Sequence, residues 1–137
     1  MTSFAPPTFV ERYKRQLFIT GLVAISLLVL VLAYEYTTAN PYKLKALDAK
    51  ARLMRGQIRT VVDVRSDTEW WAGHYPGAIH IPASKLLLES AHTLPNLGEP
   101  ILVYCETGRR AEHATMVLRS LGYTNVWFIG EPYWRLL

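Results

Sequence analysis

Residues 17–33 read L-F-I-T-G-L-V-A-I-S-L-L-V-L-V-L-A, without a charge, and Thr20 and Ser26 are their only polar side chains. A helix that is apolar all round either crosses a bilayer or lies inside a large core. A chain of 137 residues does not supply that core. At about 1.5 Å per residue the run spans about 25 Å, close to the thickness of a bilayer core. Tyr13, Tyr34 and Tyr36 flank it, where aromatic rings favour the headgroup zone. A cleaved signal peptide has a similar plan, but its apolar stretch is usually about 7–15 residues and its basic leader is short. Thr37-Thr38-Ala39 is a poor cleavage site by the same rule. The expected plan is a basic segment at 1–16, a single transmembrane helix at 17–36, and a folded domain at 42–137. Asn40-Pro41 marks the boundary, because proline restricts the residue before it.

Charge divides the chain in the same place. Residues 1–55 carry eight Lys/Arg and three Asp/Glu, whereas residues 56–137 carry seven and eight. A basic face on the folded domain, which nucleic-acid binding needs, is therefore not expected. Arg12, Lys14 and Arg15 precede the span directly and favour an N-terminus inside and a domain outside the cytoplasm. Lys43, Lys45, Lys50, Arg52 and Arg55 reduce that bias. In a cytoplasmic domain they would sit against anionic lipid. The lipid bilayer is thus the first expected partner. Leu44, Leu47, Ala51 and Met54 recur at helical spacing and read as the core side of a helix over 44–55, with the charges on its other face. Gly56 ends it.

Beyond residue 56, short apolar runs alternate with helical patterns. Strands are expected at 60–64 (T-V-V-D-V), 78–81 (A-I-H-I), 101–104 (I-L-V-Y) and 125–129 (N-V-W-F-I). Helices are expected at 84–90 and 109–121, the latter from Ala111, Ala114, Val117, Leu118 and Leu121 with Gly122 as its stop. This alternation predicts an α/β fold with a parallel sheet covered on both faces.

The single cysteine, Cys105, ends the most apolar strand and is followed by E-T-G-R-R-A. One cysteine forms no internal disulfide, and His74, His80, His92 and His113 are too scattered for a zinc site. In a parallel sheet, ligands collect at the carboxyl ends of strands. A strand-to-helix loop can turn its N–H groups inward as an anion nest. Gly108 permits the backbone geometry this needs, and the following helix adds partial positive charge. Arg109 and Arg110 add full charges that suit oxyanions. This field favours thiolate over thiol and suits nucleophilic attack. The alternative is an inert cysteine buried at a strand end.

Cys105-Glu106-Thr107-Gly108-Arg109-Arg110-Ala111 resembles the active-site loop of single-domain rhodaneses, C-x-x-G-x-R. Val61-Val62-Asp63-Val64-Arg65 resembles that family's D-V-R strand end. The stretch 69–82, E-W-W-A-G-H-Y-P-G-A-I-H-I-P, resembles its E-[aromatic]-x-x-G-H-I-P-G-A-x-x-I-P signature. The resemblance covers roughly residues 42–137 and leaves out the apolar run. It implies a rhodanese-like parallel sheet of about five strands flanked by helices, here preceded by one transmembrane helix. It implies a sulfurtransferase that moves a sulfane sulfur from a small donor anion such as thiosulfate. Cys105 would carry that sulfur as a persulfide, with no metal and no other cofactor, and pass it to cyanide, a thiol or an unknown protein acceptor. The backbone of Glu106, Thr107, Gly108, Arg109, Arg110 and Ala111 would hold the persulfide and the leaving sulfite. The Thr107 hydroxyl would bond to the sulfur, and Arg110 would close the loop or meet the donor anion. Asp63 and Arg65 would support the loops around the strand end.

Cysteine phosphatases place arginine six residues after cysteine, whereas here that residue is Ala111. The smaller loop suits one sulfur rather than a phosphate. Two departures stand out. Glu106 brings a negative charge beside the sulfur, and the family's final G-G-x-x-W reads Gly130-Glu131-Pro132-Tyr133-Trp134, which questions the packing behind the loop. Two other functions fit the same residues: a rhodanese-like binding or scaffold module at the membrane, and a cysteine-based reductase or peroxide sensor that relies on an external thiol.

Overall fold

Alternation between small apolar strands and amphipathic helices builds one sheet, and the apolar N-terminal run builds a separate helix. The computed structural model describes residues 8–137. The chain divides into two units, Met1–Ala39 and Asn40–Leu137. The part of the basic segment at 1–7 lies outside the described residues. Helix α1 spans Phe9–Thr38, so residues 9–16 continue the apolar run as one helix. Thr8 and Glu11 form a reciprocal capping box at its start. The Thr20 hydroxyl donates to the carbonyls of Gln16 and Leu17, both at 3.0 Å, so it needs no water. The segment Phe9–Tyr36 is long and apolar enough to cross a membrane.

The second unit runs β1 (Lys43–Leu44), α2 (Ala46–Met54), β2 (Thr60–Asp63), α3 (Asp67–Trp71), β3 (Ile79–His80), α4 (Leu86–Thr93), β4 (Ile101–Tyr104), α5 (Arg109–Ser120), β5 (Val126–Ile129) and a closing 3-10 turn at Tyr133–Arg135. The five strands pair in parallel in the order β1-β5-β4-β2-β3. This is the α/β class expected. Strand β1 was not foreseen. Its two residues carry no strand pattern of their own, and pairing with Phe128 and Ile129 creates it. The five-residue α3 was also not foreseen.

Alternating side chains sort the core into two layers. Val62, Val103 and Phe128 pack with Leu86 of α4 and Ala111, Ala114 and Leu118 of α5. Val61, Leu102, Tyr104 and Ile129 pack with Ala46 and Ala49 of α2 and with Leu136. Both layers are complete within Asn40–Leu137.

Helix α2 corrects the expected stripe. Leu44 lies in β1 and is buried, but Leu47 is 77% exposed and Met54 83% exposed. Ala46 and Ala49 turn inward instead. The physical reason is distance: the short path from β1 lays α2 against the sheet through alanines, so Leu47 and Met54 are left outside and only Leu53 among the larger side chains packs partly against the core.

Strand order reverses its direction of travel between β2 and β4. The chain leaves β2 toward β3 at one edge and leaves β4 toward β5 on the other side. Asp63 and Tyr104 are register partners at the carboxyl ends of these two strands. The crevice outside such a switch point is where open α/β sheets hold ligands.

Candidate active site

Cys105 follows β4 at that switch point and is wholly buried on the α4–α5 side of the sheet. Its Sγ accepts from the backbone N–H of Gly108 at 3.2 Å and of Ala111 at 3.4 Å. Both donors belong to the N-terminal end of α5, whose first N–H groups have no partner within the helix. The sulfur thus takes the place of a capping oxygen. Gly108 is the N-cap at φ 96°. A Cβ there would lie 2.9 Å from Gly130 Cα and 3.0 Å from the Ile129 carbonyl oxygen. Two glycine backbones therefore press together behind the loop, and only glycine fits at 108.

The departure at Glu131 does not open that packing. Glu131 Oε2 accepts from the Ala46 N–H at 3.4 Å and pairs with Arg135 at 3.8 Å. A carboxylate at the start of α2 suits the helix dipole.

Arg65, although 2% exposed, is charged and fully engaged. Its Nε and Nη2 donate to the Asp63 carboxylate at 2.7–3.0 Å, and Nη2 also donates to the Gly73 carbonyl at 2.6 Å. Its guanidinium lies 4.0 Å over the Tyr133 ring. Burial opposes its charge, but the Asp63 hydrogen bonds and charge outweigh burial and hold its pKa above the ordinary arginine value. Burial, followed by Asp63, likewise raises the Tyr104 phenol, whose oxygen accepts from the Tyr75 N–H at 3.0 Å. Asp63 and Arg65 thus tie together the loop after β2, the Gly73 turn and the C-terminal turn.

Glu106 lies 3.5 Å from Arg65 Nη1 and is 39% exposed. Its carboxylate has a cationic partner of its own beside the sulfur loop. Arg110 forms a bidentate pair with Glu69 at 2.6 and 2.7 Å. The Glu69 carboxyl is held well below the ordinary range, first by the Arg110 hydrogen bonds and also by Ser66. Arg110 is raised, first by Glu69 and, less, by Cys105. Thr107 and Arg109 are exposed. With Ala83, Arg110 and His113 they line an open pocket of about 440 Å³ over the loop. Arg109 has no ion-pair partner among the described residues. No group of three or more His, Cys, Asp or Glu that could hold a metal occurs among them either.

Sequence reading did not single out two contributors, Glu69 and His113. Glu69 was seen as part of a motif, not as the partner of Arg110. Its capping box with Ser66 was legible as S-x-x-E, but its long-range pair was not. His113 was one of four scattered histidines. Trp70 stacks on His74 and on His80, with centroids at 3.5 and 4.6 Å, which turns a loop histidine and a β3 histidine into packing for α3. His80 also bonds to the Arg65 carbonyl at 3.0 Å.

The model of the rhodanese-like domain family matches residues 45–131. The chain is 34% identical over 65 residues to the thiosulfate sulfurtransferase PspE of Escherichia coli (strain K12), covering 47% of this chain and 62% of that protein. It therefore spans less than two thirds of that relative. It is 36% identical over 89 residues to the human thiosulfate:glutathione sulfurtransferase, covering 56% of this chain and 76% of that one. Among solved structures, a human single-domain sulfurtransferase superimposes with a TM-score of 0.60 and 28% identity, over 70% of this chain and 95% of the other.

Proposed function

The chain belongs to the rhodanese-like domain family, and from that premise we propose that it is a membrane-anchored sulfurtransferase with Cys105 as its nucleophile. The observation that carries this reading is the pair of N–H groups, from Gly108 and Ala111, directed at one sulfur at the start of α5. The Cys105 thiolate attacks the outer sulfur of thiosulfate. A new S–S bond forms, the bond between the two donor sulfurs breaks, and sulfite leaves with its electron pair. The loop N–H groups then stabilise the persulfide anion. An acceptor thiolate or cyanide attacks the outer sulfur, and Cys105 leaves as thiolate. No cofactor enters this balance. Arg109, Thr107 and His113 face the donor, and Arg109 supplies the charge that is not committed to a protein carboxylate. Arg110, bound by Glu69, shapes the loop. Helix α1 anchors the domain to a bilayer, with the domain on the non-cytoplasmic side. The named activities of the two curated relatives support thiosulfate as donor and a thiol such as glutathione as acceptor.

The test is intact-mass analysis of Asn40–Leu137 after incubation with thiosulfate, because both core layers lie within that unit. A gain of one sulfur atom is expected, lost in Cys105→Ser and returned to the starting mass by glutathione. The complete burial of Cys105 favours the binding-module reading instead. A folded domain with a free thiol that never gains sulfur, from thiosulfate or from a persulfide donor, would establish that reading.

A further inference from the structure

The outward face of α2 presents what the sequence pattern assigns to a core. Leu47 and Met54 are exposed, and Ala51 lies between them on the same side of the helix, at i, i+4 and i+7. Lys50 borders this strip on one side, where it shares an open pocket with Lys45 and Leu47. Arg55 borders it on the other, beside Asp48 and Arg52, whose guanidinium lies 5.3 Å over the Trp127 ring. Residues 43–59 carry six Lys/Arg against one acid, Asp48, whereas residues 60–137 carry six against eight. Beyond Met54 the strip runs into an open apolar groove of about 980 Å³, bordered by Leu53, Tyr75, Pro76 and Leu137. An apolar strip between basic flanks is the pattern of a helix lying in a membrane interface, where lysine and arginine stems reach out to phosphates. Chain length adds a constraint. Residues 39–45 join α1 to α2, and seven extended residues reach at most about 25 Å. A bilayer crossed by α1 therefore has α2 tethered near its headgroups.

We propose that α2 is an interfacial helix: its Leu47–Ala51–Met54 strip and the cations around it dock on the anionic lipid of the bilayer that α1 spans. The occupant is the lipid surface. Lys45, Lys50 and Arg55 beside the strip, against the single acid Asp48, call for an anionic partner, and a second copy of the same face would repel the first. This inference rests on reading α1 as a membrane span, not on the sulfur chemistry and not on the side the domain faces; it requires anionic lipid in whichever leaflet faces the domain.

The test uses the full chain in nanodiscs of phosphatidylcholine, alone or mixed with phosphatidylglycerol. Flotation with liposomes first reads α1 insertion, and a chain that does not float overturns the inference together with the anchor. Amide exchange over Ala46–Met54 then reads docking. Exchange should slow in the anionic nanodiscs only, and high salt should reverse the slowing. In Lys45→Gln/Lys50→Gln/Arg55→Gln the docking equilibrium should fall by about 100-fold, at about 1 kcal/mol per lost cation. Leu47→Ser/Met54→Ser should lower it by about tenfold or more. Sulfur loading of Cys105 should be unchanged in both variants. Equal exchange in the two lipids, protection that survives the charge variant, or a concentration-dependent dimer that protects α2 without lipid would each overturn the proposal.

Discussion

Two arginine–carboxylate pairs flank the sulfur loop, and they do different work. Arg65–Asp63 is a pair of 2% and 0% exposed side chains at a strand end. Arg110–Glu69 is a pair of 41% and 30% exposed side chains between α5 and α3. The first is surrounded by Gly73, Tyr104, Tyr133 and Glu106. Removal of either member leaves a buried charge without its main counter-ion. The second keeps its hydration and is open to salt. Similar chemistry at similar distances therefore makes one pair a structural keystone and the other an adjustable clip on the loop. Glu106 leans on the first pair and Arg110 belongs to the second, so the loop is held from both sides with Gly108 as its pivot.

The largest effect should come from breaking the buried pair. Asp63→Ala leaves Arg65 buried with only the more distant Glu106 carboxylate as counter-charge and should cost about 3–5 kcal/mol, read by denaturant unfolding of Asn40–Leu137. A loss below about 1 kcal/mol would mean that water reaches Arg65 and that the contrast is false. Next comes the pivot. Gly108→Ala combines a left-handed backbone with contact at 2.9 Å against Gly130 and should cost about 2–4 kcal/mol. Sulfur loading should fail with it. Gly77→Ala, at φ 77° in open space, isolates the backbone cost and should lose only about 1 kcal/mol.

The exposed pair should give the smallest loss. Glu69→Gln should cost about 0.5–1 kcal/mol after solvent screening, and high salt should shrink that difference. The Asp63→Ala loss should persist in salt. The pH dependence follows from the depressed Glu69 carboxyl. Its folded form releases the proton more readily than its unfolded form, so its contribution is present above the unfolded pKa of about 4.3 and declines as pH falls below it. Wild type and Glu69→Gln should differ at pH 7 and converge toward pH 2–3. A difference that grows on acidification would show that Glu69 is not ionised in the pair.

The pattern of the chain carried some of these features and not others. The strand at 101–104, the helix after it and the cysteine between them were legible because each has a strong local signal: an apolar run, a 3.6-residue period and a glycine at the junction. The α/β class followed from their alternation. Strand β1 was not legible because two residues have no period. Helix α2 was legible as a helix, but its buried side was not. Its larger apolar residues and its alanines both recur at helical spacing, and only the depth of the gap between helix and sheet selects the alanines.

By itself, the sequence determined an apolar helix followed by an α/β domain, and a cysteine loop with the glycine and cations of the rhodanese pattern. Hydrophobic period, chain length and turn residues act locally, so they survive in one dimension. The tertiary structure alone decided which carboxylate each arginine meets, that Glu106 turns to Arg65, that Gly108 faces Gly130, and that Leu47 and Met54 face outward. Each is a contact or an exposure set by how strands and helices far apart in the chain come together. No local spacing encodes that until the sheet has closed around it.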